Sequence, residues 1–185
     1  FLGVSETYSF ENPAVRQAWE QYRSKTEGDY LAQCLVTGQR EQPIANIHPK
    51  IKGVKGGQSV GTSLVSFNAP SYWSYGQEQS LNAPVSEYAA FAYASALNHL
   101  IADFDHRFSL DGDTVVCWAE NGEKMYQDLF LLGIDPRAKT EHDVSKTLRS
   151  IVNGQPIDLE NFEPGTPFYV LCLSPNAARV SVRFF

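Results

Sequence analysis

Between Val85 and Phe104 the chain carries a single helical apolar stripe, and no other segment constrains the fold as strongly. Val85, Ala89, Ala92, Tyr93, Ala96, Leu97, Leu100, Ile101 and Phe104 recur at i, i+3, i+4 and i+7, with Pro84 near the start. Five alanines (Ala89, Ala90, Ala92, Ala94 and Ala96) permit another backbone to approach closely. This predicts a core helix with the other elements arranged around it. The stretch ahead of it has the opposite character. It is dense in Gly, Ser, Asn, Gln and Pro, yet it also holds Phe67, Tyr72, Trp73 and Tyr75. Irregular segments of that mixture inside a compact domain are more often binding loops than disorder. The span from Cys34 to Leu100 is therefore expected to form the working surface.

The flanking elements follow from spacing and punctuation. Asn12-Pro13 before Val15, Ala18, Trp19 and Tyr22 predicts a capped amphipathic helix. Tyr30 to Val36 and Thr62 to Phe67 read as strands, the first closed by the turn Thr37-Gly38-Gln39. Asp111-Gly112-Asp113 is a turn before a strand from Thr114 to Ala119, and helices are expected at Glu123 to Leu132 and Val144 to Val152. Phe168 to Leu173 and Arg179 to Phe185 complete the strands, separated by Ser174 to Ala178. The expected class is α+β, with mixed strands packed around the Ala-rich helix and a long Gly/aromatic loop. The whole is read as a single domain over residues 1–185.

Charge and cysteine usage narrow the function. The net charge of −6 gives no global attraction to nucleic acid or anionic lipid, but it is unevenly spread. From Val36 to Gly61, Arg40, Lys50, Lys52 and Lys55 face only Glu41, a net +3 on a chain otherwise at −9. A basic loop on an acidic body predicts a local anion site. Cys34, Cys117 and Cys172 are scattered in apolar runs, which argues for reduced core thiols and a cytoplasmic setting. No apolar run reaches the roughly 20 residues of a bilayer span, and no leader is recognisable. No membrane partner is expected.

Several chemical motifs fail on their mechanics. Gly57-Gln58-Ser59-Val60-Gly61 spells a nucleophile elbow, and Ser59, an Asp between 103 and 113, and His142 follow in hydrolase order. The elbow needs a buried strand entering and a helix leaving, whereas glycine and lysine precede Ser59 and a β-like run follows. Gly56 to Ser63 has P-loop spacing, but Thr62 stands where the phosphate-binding Lys is required. His99 and His106, seven residues apart on one expected helix, differ by roughly 10 Å of rise, too far for one zinc with ligands about 2 Å away. No metal, cofactor or catalytic residue is expected. What remains is Lys50, Lys52 and Lys55 as phosphate contacts, with Gln58, Asn68, Tyr75, Gln77 and Asn82 as candidates for base or backbone contacts. The bland alternative is a solvated surface with amides satisfying their own loop.

Cys34-Leu35-Val36-Thr37-Gly38, His48-Pro49-Lys50-Ile51-Lys52-Gly53-Val54, Leu64 to Ala69, Ser74-Tyr75-Gly76 and Asn82 to Ser86 together resemble the large subunit of the type I-C CRISPR effector complex (Cascade). Ala96-Leu97-Asn98 and Leu173 to Arg179 fit the same family. The resemblance implies a non-enzymatic, RNA-guided antiviral role. The large subunit helps recognise the protospacer-adjacent motif on target DNA, supports R-loop opening and recruits a separate helicase-nuclease. Other Cascade subunits and the CRISPR RNA are the implied partners, with Arg179 and Arg183 available to the guide backbone or a protein. Family members are longer, so the chain resembles an internal segment. Two alternatives stay open: an assembly scaffold without DNA contact, and a serine hydrolase using Ser59.

Overall fold

A computed structural model describes residues 12–24, 30–134, 153–154, 163 and 165–183. Within them the element order is α1 (Pro13–Ser24), β1 (Leu31–Ala32), β2 (Gln42–Pro43), α2 (Glu87–Ala102), β3 (Arg107–Leu110), β4 (Asp113–Ala119), α3 (Lys124–Ile134), β5 (Phe168–Asn176) and β6 (Arg179–Arg183). Helices and antiparallel sheets occur together, so the class is α+β. The chain forms two compact units, one of residues 1–49 and 65–95 and the other of residues 50–64 and 96–185. Helix α2 contributes to both, with the division after Ser95.

In the first unit, Asn12 caps α1 as its residue type predicts, its side-chain oxygen accepting the Ala14 N–H at 2.9 Å. The apolar stripe of α1 is nevertheless exposed, Trp19 at 53% and Tyr22 at 70%, with those two rings stacked. The strand expected from Tyr30 to Val36 contracts to β1. Leu35 leaves the β1–β2 pairing to donate its N–H to Pro84 O, and Gly38 N closes a turn on Cys34 O. Around Cys34 lies a small core of Ala45, Val85, Ala89 and Ala90, with Tyr93 against it. Ser86 caps α2, its hydroxyl accepting the Ala89 N–H at 3.2 Å, so the helix begins after Val85. Two 3-10 turns, Pro70–Tyr72 and Gln79–Asn82, shape the loop ahead of it.

In the second unit the four-stranded sheet runs β3-β4-β5-β6, antiparallel throughout. Strand β3 was not foreseen. The segment expected to separate two strands is partly strand itself, since Ser174, Pro175 and Asn176 pair with Ser181, Val180 and Arg179. The alternation of β4 puts Thr114, Val116 and Trp118 on one face and Val115, Cys117 and Ala119 on the other. Helix α3 packs on β4, with Phe130 wedged between Phe108 and Phe168 at centroid distances of 5.8 and 5.2 Å. The helix seen packed on this sheet is α3, the next element in the chain after β4. The expected strand from Thr62 to Phe67 is reduced to two single-residue bridges, Thr62 with Ile51 and Ser63 with Arg179. Residues 144–152, expected to be helical, lie outside the described residues. Among the described residues no helix is long and apolar enough to cross a membrane.

Candidate nucleic-acid interface

The basic loop is built by a narrow neck and two outside anchors. Ile51 and Thr62 exchange both backbone hydrogen bonds at 2.8 Å, which closes the intervening residues into a loop. Ile51 is fully buried and so fixes its neighbours, Lys50 and Lys52, at the surface. Inside the neck two successive turns form, Gly57 N to Val54 O and Gly61 N to Gln58 O. Gly61, at φ +98°, lies where a Cβ would come within 2.8 Å of Lys50 Cβ and 3.0 Å of Ile51 O, so the neck tolerates no side chain there. From α2, Asn98 reaches both sides of Ile51: its Oδ1 accepts the Lys52 N–H at 2.7 Å and its Nδ2 donates to Lys50 O at 3.1 Å. From β4, Thr114 Oγ1 accepts the Lys55 N–H at 2.9 Å.

This arrangement places all three lysines at the surface. The Lys50 ammonium donates to Ser63 Oγ at 2.6 Å and the Lys55 ammonium to Ser109 Oγ at 3.1 Å. A hydroxyl occupies one of three ammonium donors and cancels no charge. Among the described residues Lys124 pairs with Asp105 at 2.9 Å and the His106 ring lies 3.9 Å from the Asp103 carboxylate, and no ion pair engages the three lysines. Ser63 also joins the β6 edge, accepting the Val180 N–H at 3.1 Å and so setting Arg179 beside the loop's own backbone. Arg183, across β5, contributes to holding the Asp113 carboxyl below its ordinary range, where the leading cause is the Ser174 hydroxyl at 2.6 Å. Gln58 is exposed in the second turn.

The other candidates belong to the first unit. Tyr75 is wholly exposed at the tip of a two-residue turn in which Gln77 N donates to Ser74 O at 2.9 Å. Asn68 is exposed and Gln77 half-buried. Asn82 is spent on its own loop: its Oδ1 accepts the Ser74 N–H at 2.7 Å, and its Nδ2 donates to Gln77 O at 2.9 Å and Gln79 O at 2.8 Å. That leaves its amide no free pairing edge. Trp73 fastens the same loop by donating from Nε1 to Phe67 O at 2.9 Å. The candidates therefore form two groups, Lys50 to Gln58 in one unit and Asn68 to Asn82 in the other.

The remaining chemical expectations resolve into structure. Ser59 sits exposed in the turn closed by Gly61 N on Gln58 O, with neither a strand entering nor a helix leaving, so the elbow geometry is missing; His142 lies outside the described residues. His106 falls beyond the end of α2, so it shares no helix with His99. Its Nδ1 lies 2.9 Å from Cys117 O and 3.2 Å from the buried Gln127 amide, which also donates to Glu123 O and Lys124 O. His106 is thereby a tie between β4 and α3. Buried His48 lies with Nδ1 2.7 Å from Tyr93 Oη, and burial pushes its imidazole below the ordinary value. Asn98, Thr114, Ser63 and Ser109 were missed by sequence reasoning. Only Asn98 left a trace, as an amide inside an otherwise apolar helix.

The chain matches a family model described as CRISPR-associated protein (Cas_Csd1) over residues 2–185. No curated protein matches it.

Proposed function

This chain belongs to the Csd1 family of CRISPR-associated proteins, and from that premise we propose that it serves as a non-catalytic part of the large subunit of a type I-C CRISPR complex, holding target DNA near the protospacer-adjacent motif. Its partners in this reading are target DNA, the guide RNA, neighbouring Cascade subunits and the helicase-nuclease that the complex recruits, in the cytoplasm. The observation that carries the proposal is the loop of Lys50, Lys52 and Lys55. Its backbone is pinned by Asn98 and Thr114, and its three ammonium groups are engaged by no carboxylate among the described residues. A loop fixed in advance loses little conformational freedom when it meets sugar–phosphate, so more of each contact appears as affinity. Guide pairing would read the sequence while such contacts hold the duplex.

The test is DNA binding by the assembled complex carrying K50A, K52A and K55A together, measured across a salt series. Affinity is expected to fall, and the log–log salt slope to flatten by up to about 0.9 for each lost contact. An unchanged slope would overturn the phosphate assignment. A scaffold role is the second reading, favoured by exposed Leu35 (67%), Val36 (63%) and Ile47 (74%) in the first unit. Under that reading the lysine variant keeps its DNA affinity, and polar substitution of the three apolar residues breaks co-purification of the complex.

A further inference from the structure

The loop from Val65 to Ser86 carries only one charged side chain, Glu78, so it cannot act as the lysine loop does. It does carry a conformational anomaly. Tyr75 sits at φ 53° and Gly76 at φ 71°, the pair of positive values that a type I′ turn requires. Asn or Gly fills the first of these positions at little cost. A bulky residue there is an outlier that the surrounding structure must enforce. The enforcement is visible: Asn82 grips both ends of the turn, at Ser74 N and Gln77 O, and ties it to the following 3-10 turn at Gln79 O. The ring so positioned gains nothing from its own fold, because Tyr75 is 102% exposed.

We infer that Tyr75 is a preset wedge that stacks on an unpaired nucleobase of a CRISPR nucleic acid. The inference rests on the nucleic-acid reading above and adds the mode of contact. The chemistry around the ring favours a base over a protein pocket. Tyr72 (45%) and Trp73 (36%) also show surface, Gln77 is half-buried beside them, and no Val, Leu, Ile or Met stands between Asn68 and Ser80 to serve as an apolar anchor. Aromatic faces with amide edges and almost no charge suit the π-face and polar rim of a base. Such a contact contributes affinity that does not depend on salt, which separates it from the lysines.

The test uses the assembled complex and three variants, Tyr75→Phe, Tyr75→Leu and Tyr75→Gly. Tyr75→Phe is expected to keep affinity. Tyr75→Leu and Tyr75→Gly are expected to lose about 5- to 100-fold with the salt slope unchanged, the range of one lost stacking contact. Tyr75→Gly should melt no lower than the unaltered protein, because glycine accepts the positive φ, whereas a ring with a merely structural role would lower the melting temperature when removed. A fluorescent adenine analogue placed in single-stranded target DNA, or in the guide RNA, identifies the source of the base by Tyr75-dependent quenching. Quenching in neither strand, full affinity in Tyr75→Gly, or loss of a protein subunit in place of nucleic acid overturns the inference. The lysine variants report independently: an unchanged salt slope with Tyr75-dependent quenching shows that the phosphate reading has failed, and a flattened slope with no quenching shows that the stacking inference has.

Discussion

Asn98 shows how much of a site can hang on one amide. It satisfies the Lys52 N–H and the Lys50 carbonyl at once, across 46 and 48 residues of sequence. Asn98→Ala is expected to cost about 1–2 kcal/mol in chemical denaturation, two hydrogen bonds' worth. It should also weaken DNA binding without changing the salt slope, since the lysines keep their charge. Sequence could not assign this role, because the partners are backbone atoms that no residue type announces. Asn82 teaches the converse. Its amide was read as a candidate for base contacts, yet the loop consumes it. His48 supports a pH prediction. Burial holds its imidazole below the ordinary 6.5, so the neutral form is the one the fold accommodates. The unfolded chain then binds the proton more readily as pH drops below about 6.5, and stability present above that pH is lost as pH falls through the lowered value. His48→Gln keeps a hydrogen-bonding partner for Tyr93 and does not titrate, so its unfolding free energy should decline less between pH 7 and 5 than that of the unaltered protein.

At the scale of elements, legibility followed locality. Strands β4, β5 and β6 and helices α2 and α3 lay close to their expected places because each has a period or a turn signal of its own. Thr62 to Phe67 looked like a strand from residue type, but only Thr62 and Ser63 find partners, at Ile51 and Arg179. Strand β3 was hidden in Arg107-Phe108-Ser109-Leu110, a run too short and mixed to stand out before it pairs with β4. In α2 the period was right and the rotation was not. Ala90 and Ala94 are buried while Ala92 and Ala96 face solvent, and alanine on either face leaves too weak a pattern to decide. The neck of the lysine loop allows a sharper prediction. Gly61→Ala would force a Cβ against Lys50 and Ile51 at a φ of +98°, so it is expected to destabilise the protein by about 1–3 kcal/mol and to disturb DNA binding. Gly122→Ala, with open space around its added carbon, is the control for a mutated glycine at positive φ.

For the whole molecule the charge of −6 opposes what the lysine loop attracts. The chain alone should therefore bind DNA weakly, with the affinity of the assembled complex well above it, and the difference should shrink as salt screens the acidic body. Titration with a thiol reagent gives a further whole-molecule check. Burial drives the Cys117 thiol up to about 11, and burial together with Asp113 raises that of Cys172. Burial also pushes Cys34 upward, but hydrogen bonds from Ser86 and Thr37 outweigh it and hold that thiol at about 6. Even so Cys34 exposes none of its surface, so no sulfur should react before unfolding and three should react after it. Set beside the hydrogen-bonded neck at Ile51 and Thr62, this silence has a practical use. A cysteine put in place of exposed Ser59, on the loop that this neck closes, would be the sole point of attachment for a maleimide dye. Single-particle energy transfer from that dye to labelled oligonucleotide would then report arrival and departure at the basic loop in real time, with the native sulfurs left dark.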